Sequence, residues 1–175
     1  KVKWPVPGNA LIEYPESLYF GINGVLARTV NPEDEVFVYP IITNAGDNAG
    51  IKNANILKQE LESIIPKVKS LKFENIECNF DEDETKFKDL FKILISKLQY
   101  DAEITVDITG NTKSIPLLIF SAMQFGEKFF DCSIGNVIYQ KVEFKNNLII
   151  ENSRQLCDVT PLYLINSFTN TIDRK

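Results

Sequence analysis

The chain contains no histidine. Without an imidazole it cannot supply a serine-histidine triad, a histidine general base, or the paired arginine and histidine of one large class of ribonucleases, so much hydrolytic chemistry is excluded. Cysteine is scarce as well. Cys78, Cys132 and Cys157 are far apart, odd in number and without Cys-x-x-Cys spacing. That pattern fits neither a zinc site nor a disulfide framework, and the three read as core thiols of a cytoplasmic protein. Positive charge is short too, with 19 Lys and Arg against 24 Asp and Glu and a formal net charge of −5. Such a balance gives no general footprint for DNA or long RNA, and any nucleotide ligand must be held by a local site. The longest mostly apolar stretch, residues 115–125, falls well short of the roughly 18 to 20 residues that span a bilayer.

What is present is a chain of 175 residues, 44% hydrophobic, which is enough for one substantial core and predicts a single domain over residues 1–175. Strand-like and helix-like patterns alternate along it. "KVKWPV" reads as a first strand, ended by Pro5, Pro7 and Gly8. "PESLYFGINGVLART" follows with Leu18, Ile22, Val25 and Leu26 at helical spacing. "EVFVYPIIT" reads as a buried strand, and residues 51–65 as a helix with Ala54, Leu57, Leu61, Ile64 and Ile65 on one face, stopping before Pro66. "KSLKFENIEC" is expected to be a third strand. The acidic "DEDE" at residues 81–84 then opens a helix carrying Phe87, Leu90, Phe91, Leu94, Ile95 and Leu98, and reads as a solvated helix start rather than a metal site.

"AEITVDIT" predicts a fourth strand and "SIPLLIFSAMQFGEKF" a fourth helix. "NVIYQKVEF" and "LIIEN" around "KNN" predict a hairpin, and residues 158–172 a last helix with Leu162, Ile165, Phe168 and Ile172 facing inward. The predicted fold class is α/β, Rossmann-like: an open, mostly parallel sheet with helices on both faces and a C-terminal β-hairpin plus helix.

In such a sheet ligands sit outside the carboxyl ends of the strands, where loops lead into helices. "TGNTKS", residues 109–114, is such a loop. Pro116 lacks an N–H and is tolerated only in the first helical turn, so the helix must begin near Thr112 to Ser114. Amides of Gly110, Asn111, Thr112 and Lys113 then lack intrahelical partners and can meet an anion. Gly110 lets the backbone turn through positive φ, Thr109, Thr112 and Ser114 add hydroxyls, and Lys113 adds a local positive charge in a chain that is negative overall. These are the ingredients of a phosphate or ribose cradle, and equally of ordinary helix capping. The spacing matches neither a Walker loop nor Gly-x-Gly-x-x-Gly, which disfavours an ATPase or an ordinary dinucleotide enzyme.

"DITGNTKSIP" resembles the Asp-x-Thr-Gly-Gly-Thr-Lys signature of CARF domains, the CRISPR-associated Rossmann-fold sensors of cyclic oligoadenylates. Asp107, Thr109, Gly110, Thr112 and Lys113 match it, and Asn111 stands in place of the second glycine. The order of strands and the terminal hairpin and helix extend the likeness over nearly the whole chain.

The resemblance implies a homodimer or higher homo-oligomer with one cyclic oligoadenylate, most simply cyclic tetra-adenylate, lying across a two-fold interface. Each subunit would then contribute the loop after the first strand (Pro7, Gly8, Asn9, Ala10) and the loop after the fourth (Thr109, Gly110, Asn111, Thr112, Lys113, Ser114). Thr43, Asn44 and Ala45, after the second strand, and Arg154, beyond the hairpin, are further candidates. No catalytic residue, metal or cofactor beyond that ligand is implied.

Family members commonly couple the sensor to an effector. The sequence begins "KVKWPVPG" without methionine, directly in a strand-like stretch, so a segment before Lys1 is expected. The likeness extends to the branch of the family in which an N-terminal transmembrane helix precedes a cytosolic sensor and ligand binding depolarises the membrane in type III CRISPR antiviral defence. It implies a cytoplasmic domain tethered to the inner membrane through that upstream segment. The alternative is a stand-alone ring nuclease that degrades the messenger, with Lys113 and backbone amides stabilising the developing charge. A third possibility is an interaction module of the same fold with no nucleotide.

Overall fold

The computed structural model describes residues 1–44, 48–110, 112–146, 148–150 and 152–171. It is mixed α/β, with small, mostly parallel sheets, and it divides into two compact units, residues 1–81 and 82–175. Each is described by itself.

In the first unit the expected opening strand is not formed. Val2 makes a single antiparallel bridge to Leu18, while Trp4 and Val6 are buried and the indole N–H of Trp4 donates to the Leu18 carbonyl at 3.2 Å. The apolar residues seek the core, but Pro5 and Pro7 cannot donate to a ladder, so the segment packs without joining a sheet. Helix α1 (Gly21–Thr29) starts later than the spacing predicts, after Phe20 in an extended conformation. Gly24 explains a glycine inside it, because a Cβ there would lie 2.7 Å from Cβ of Tyr14 and 2.9 Å from Cδ1 of Leu18. Helix α2 (Asn48–Ile64) packs on α1, with Val25 and Leu61 fully buried.

"EVFVYPIIT" forms β1 (Glu35–Val38) and β2 (Ile41–Ile42), and "KSLKFENIEC" forms β3 (Ser70–Phe73) and β4 (Ile76–Glu77). β1 pairs with β3 and β2 with β4, both parallel. The break at Pro40 leaves the bonding nearly continuous, since Glu74 N donates to Val38 O, Ile76 N to Pro40 O and Cys78 N to Ile42 O.

In the second unit, α3 (Glu84–Ser96) opens on Asp83, whose carboxylate accepts from the amide of Lys86 at 2.9 Å. The acidic run therefore caps a helix. α4 (Ser114–Phe129) packs against α3, with Phe91 and Phe125 edge to face at 6.1 Å. β5 (Glu103–Asp107) lies parallel to β6 (Ser133–Lys141), and β9 (Gln155–Asp158), a strand the sequence reading did not separate, pairs antiparallel to β6 on its other side. Only the tip of the predicted hairpin forms, as β7 (Phe144–Lys145) and β8 (Leu148–Ile149) with Asn146 at φ 51° in its turn; residues 136–141 of its expected first arm belong to β6 and pair with β5 and β9 instead.

The expected last helix is present as α5 (Thr160–Thr171), starting after β9 rather than at Asp158, but its faces are reversed. Tyr163 is the residue fully buried, whereas Leu162, Ile165 and Phe168 are 61%, 63% and 66% exposed. Ile172, the fourth residue expected inside, lies outside the described residues. The orientation is set by Tyr163, which meets Phe120 ring to ring at 5.1 Å and donates its hydroxyl to Glu127 at 2.6 Å, with the Ser167 hydroxyl donating to the same carboxylate oxygen at 3.1 Å. A buried phenol requires such a partner, and a leucine does not. Burial and the Glu127 carboxylate together raise the Tyr163 pKa, so the phenol stays protonated.

All three cysteines are free thiols, Cys132 buried and the others half-buried. Burial pushes the Cys132 thiol up, away from the reactive thiolate form. Among the described residues no helix is long and apolar enough to cross a membrane, and no group of three or more His, Cys, Asp or Glu is placed to hold a metal ion.

Candidate functional site

The loop between β5 and α4 lies where the sequence places it, outside the carboxyl end of a parallel strand and running into a helix start. α4 begins at Ser114, so Pro116 occupies its first turn, where a missing N–H costs nothing. Gly110 adopts φ +139°, and a Cβ there would meet nothing within 4 Å, so the backbone conformation rather than crowding calls for glycine.

Two side chains pin the near side of the loop. The half-buried Asp107 accepts the Thr109 amide at 2.8 Å on one carboxylate oxygen and the Gln140 side-chain amide at 2.8 Å on the other. The Thr109 hydroxyl in turn accepts the backbone amide of Gln140 at 2.6 Å. Asp107 and Thr109 therefore bind the loop to β6. Burial raises the carboxyl pKa of Asp107 above its ordinary value, against the opposing hydrogen bonds from Thr109 and Gln140.

The far side of the loop is open. Among the described residues no acceptor meets the amides of Gly110, Thr112 or Lys113, and Lys113 makes neither a capping bond nor an ion pair. The Ser114 hydroxyl is occupied, donating to Glu82 at 2.7 Å and lying 3.4 Å from the Thr112 hydroxyl. Asn111 lies outside the described residues.

Arg154 reaches the same end of this sheet through strand register. β6 continues past the end of β5 to Gln140 and Lys141, which pair with Leu156 and Gln155, so Arg154 precedes β9 at the edge from which the β5–α4 loop projects. It is half-buried and has no ion pair or hydrogen bond among the described residues. That end of the sheet thus carries two cations, Lys113 and Arg154, with no carboxylate partner among the described residues, together with three amides that no described acceptor meets. Such a set can bind a phosphodiester, the lysine as a point charge and the guanidinium as a fork.

The remaining candidates belong to the first unit. Pro7, Gly8, Asn9 and Ala10 form a turn in which the Asn9 amide donates to Val6 O at 3.1 Å and Gly8 has φ 84°. They do not follow a strand as expected. Thr43 and Asn44 follow β2, and the Thr43 carbonyl accepts the Phe80 amide at 2.9 Å. Ala45 lies outside the described residues. This unit also has an open surface concavity of about 390 Å³ lined by Phe37, Tyr39, Lys72, Phe73 and Glu74, none of them a candidate from the sequence.

Gln140 and Glu82 are site residues that sequence reasoning missed. Gln140 is adjacent to the loop only through the β5–β6 register, which sequence spacing does not encode, and Glu82 was read as one acid among four.

The chain matches no protein-family model and no curated protein.

Proposed function

We propose that this chain is a sensor domain that binds a cyclic oligoadenylate, cyclic tetra-adenylate first among them, at the β5–α4 loop. Its place is on the cytoplasmic side of the inner membrane in type III CRISPR antiviral defence. Homodimeric or higher assemblies share one messenger molecule across a two-fold axis, and binding signals to a membrane-spanning effector joined upstream of Lys1. The observation that carries this reading is that, among the described residues, the amides of Gly110, Thr112 and Lys113 meet no acceptor and Lys113 and Arg154 have no ion-pair partner, all at one end of a sheet in an acidic chain. The likeness of "DITGNTK" to the CARF signature supplies the identity of the ligand. Asp107 and Thr109, both part of that likeness, act by holding the loop, and Lys113 acts by meeting phosphate. Ligand binding moves the effector only to the extent that the messenger binds one arrangement of the assembly more tightly than another.

Calorimetric titration with cyclic tetra-adenylate, followed by chromatography of the recovered nucleotide, tests the reading. Saturable binding with intact ligand recovered is the expected result. Rapid conversion to linear products would transfer the site to a ring nuclease, and no binding to any cyclic oligoadenylate would leave an interaction module of α/β fold.

A further inference from the structure

β1 and β3 run parallel with Phe37 opposite Lys72, and the ladder continues one step as the Glu74 amide donates to the Val38 carbonyl at 3.0 Å. Side chains alternate along a strand, so Phe37 and Tyr39 share one face with Lys72 and Glu74. These four, with Phe73, line the concavity of about 390 Å³ in the first unit. Its volume lies in the range of small-molecule sites, about 300–1,000 Å³, and takes one ligand of that size. The Lys72 ammonium stands over the Phe37 ring, 4.9 Å from its centroid. The next carboxylate along this face, Glu35, is held by Lys69 at 2.6 Å, and Lys72 has no ion pair among the described residues.

The chemistry of the lining selects the ligand. Half-buried Phe37 and Tyr39 offer aromatic surface on which a flat ring stacks. The exposed ammonium of Lys72 beside them attracts one anionic group. Glu35 and Glu74 flank Lys72 on the same face, one step to either side in the register, so a second or third phosphate meets like charge. A strand of RNA, with a phosphate at every nucleotide, meets the same repulsion. Glu74 accepts N–H donors, and a carboxylate has capacity for more than one of them, which favours a base with an exocyclic amine over uracil. A plain aromatic acid would suit the rings and the ammonium but bring Glu74 no donor.

We infer that this concavity binds a nucleoside monophosphate, its base stacked on the Phe37 and Tyr39 pair, its exocyclic amine donating to Glu74 and its phosphate meeting Lys72. The inference uses residues of the first unit alone and does not depend on the function proposed for the β5–α4 loop.

Calorimetric titration of adenosine monophosphate into the full chain tests it. Wild type binds this nucleotide saturably, with a dissociation constant below about 1 mM. Lys72→Ala, at an exposed sheet position where thermal melts stay superimposable, weakens that binding at least about tenfold and leaves binding of adenosine, which has no phosphate, unchanged. Tyr39→Phe keeps the ring and the affinity, while Tyr39→Leu loses affinity several-fold. Uridine monophosphate binds wild type several-fold more weakly than adenosine monophosphate. No saturation by adenosine monophosphate, or equal affinity in wild type and Lys72→Ala, overturns the inference. So does binding lost in Lys113→Ala but kept in Lys72→Ala, which assigns the nucleotide to the β5–α4 loop. A linear oligoadenylate that binds more tightly than the monophosphate and displaces it also overturns the inference, assigning the face to RNA. A protein that binds adenosine monophosphate but no cyclic oligoadenylate retains this inference and loses the proposed function, and the reverse result loses this inference alone.

Discussion

Helices α1 and α4 both begin with main-chain amides that their own turns cannot use, and the chain treats them in opposite ways. At α1, Glu60 of α2 is 4% exposed and accepts the Tyr19 amide at 2.8 Å, the Phe20 amide at 3.0 Å and the Asn23 side-chain amide at 3.2 Å. The protein has installed its own anion there, so that helix start is structural. At α4, the amides of Gly110, Thr112 and Lys113 face no such acceptor among the described residues, and a lysine stands beside them. The difference separates a helix start closed by the protein's own carboxylate from one whose donors are left to water or an incoming anion.

The comparison breaks most severely if Glu60 proves dispensable. Glu60→Ala removes the acceptor of two part-buried main-chain amides and of the buried Asn23 side-chain amide, and is expected to cost about 3 kcal/mol in urea denaturation. Lys113→Ala sharpens it from the other side. It should leave the melting temperature unchanged while weakening cyclic tetra-adenylate binding by about 1.5–3 kcal/mol in calorimetry.

A smaller effect is expected at the loop's anchor. Gln140→Leu removes one donor from the half-buried Asp107 and should cost about 1 kcal/mol of stability, with a several-fold loss of ligand affinity as the loop loosens. The pH dependence of that anchor has a definite sign. Because burial raises the Asp107 pKa, the native state takes up this proton more readily than the unfolded chain. The group's contribution to stability is thus full below about pH 4, the ordinary carboxylate value, and is lost as pH rises through the raised value. Urea midpoints across that window should fall with pH in wild type, and Asp107→Asn should remove this component of the slope. Smallest of all is Glu82→Gln. Neutralising the carboxylate bonded to Ser114 removes a like charge from the edge of the cradle, and ligand affinity should rise a few-fold in the same titration.

The parts legible in the sequence were those whose cause is local. Pro116 fixed the start of α4 within two residues, the alternation in "AEITVDIT" located β5, and Asp83 could be read as a helix start from the acids around it. Where a tertiary partner decides, the reading failed. "KVKWPV" has the composition of a strand, yet its prolines leave it a buried segment with one bridge. Helical spacing gave α5 an apolar face without saying which way it turns, and Tyr163, through Glu127 and Phe120, turned it outward. At the site, the loop was visible as "TGNTKS", but Gln140 and the position of Arg154 depend on strand register, which appears only once β5, β6 and β9 are paired.

The most direct measurement is a calorimetric titration of cyclic tetra-adenylate into wild type and Lys113→Ala side by side, with thermal melts of both. The account predicts saturable binding to wild type, at least about tenfold weaker binding to the variant, and superimposable melts. Equal affinities in the two proteins, or no binding to either, would contradict it.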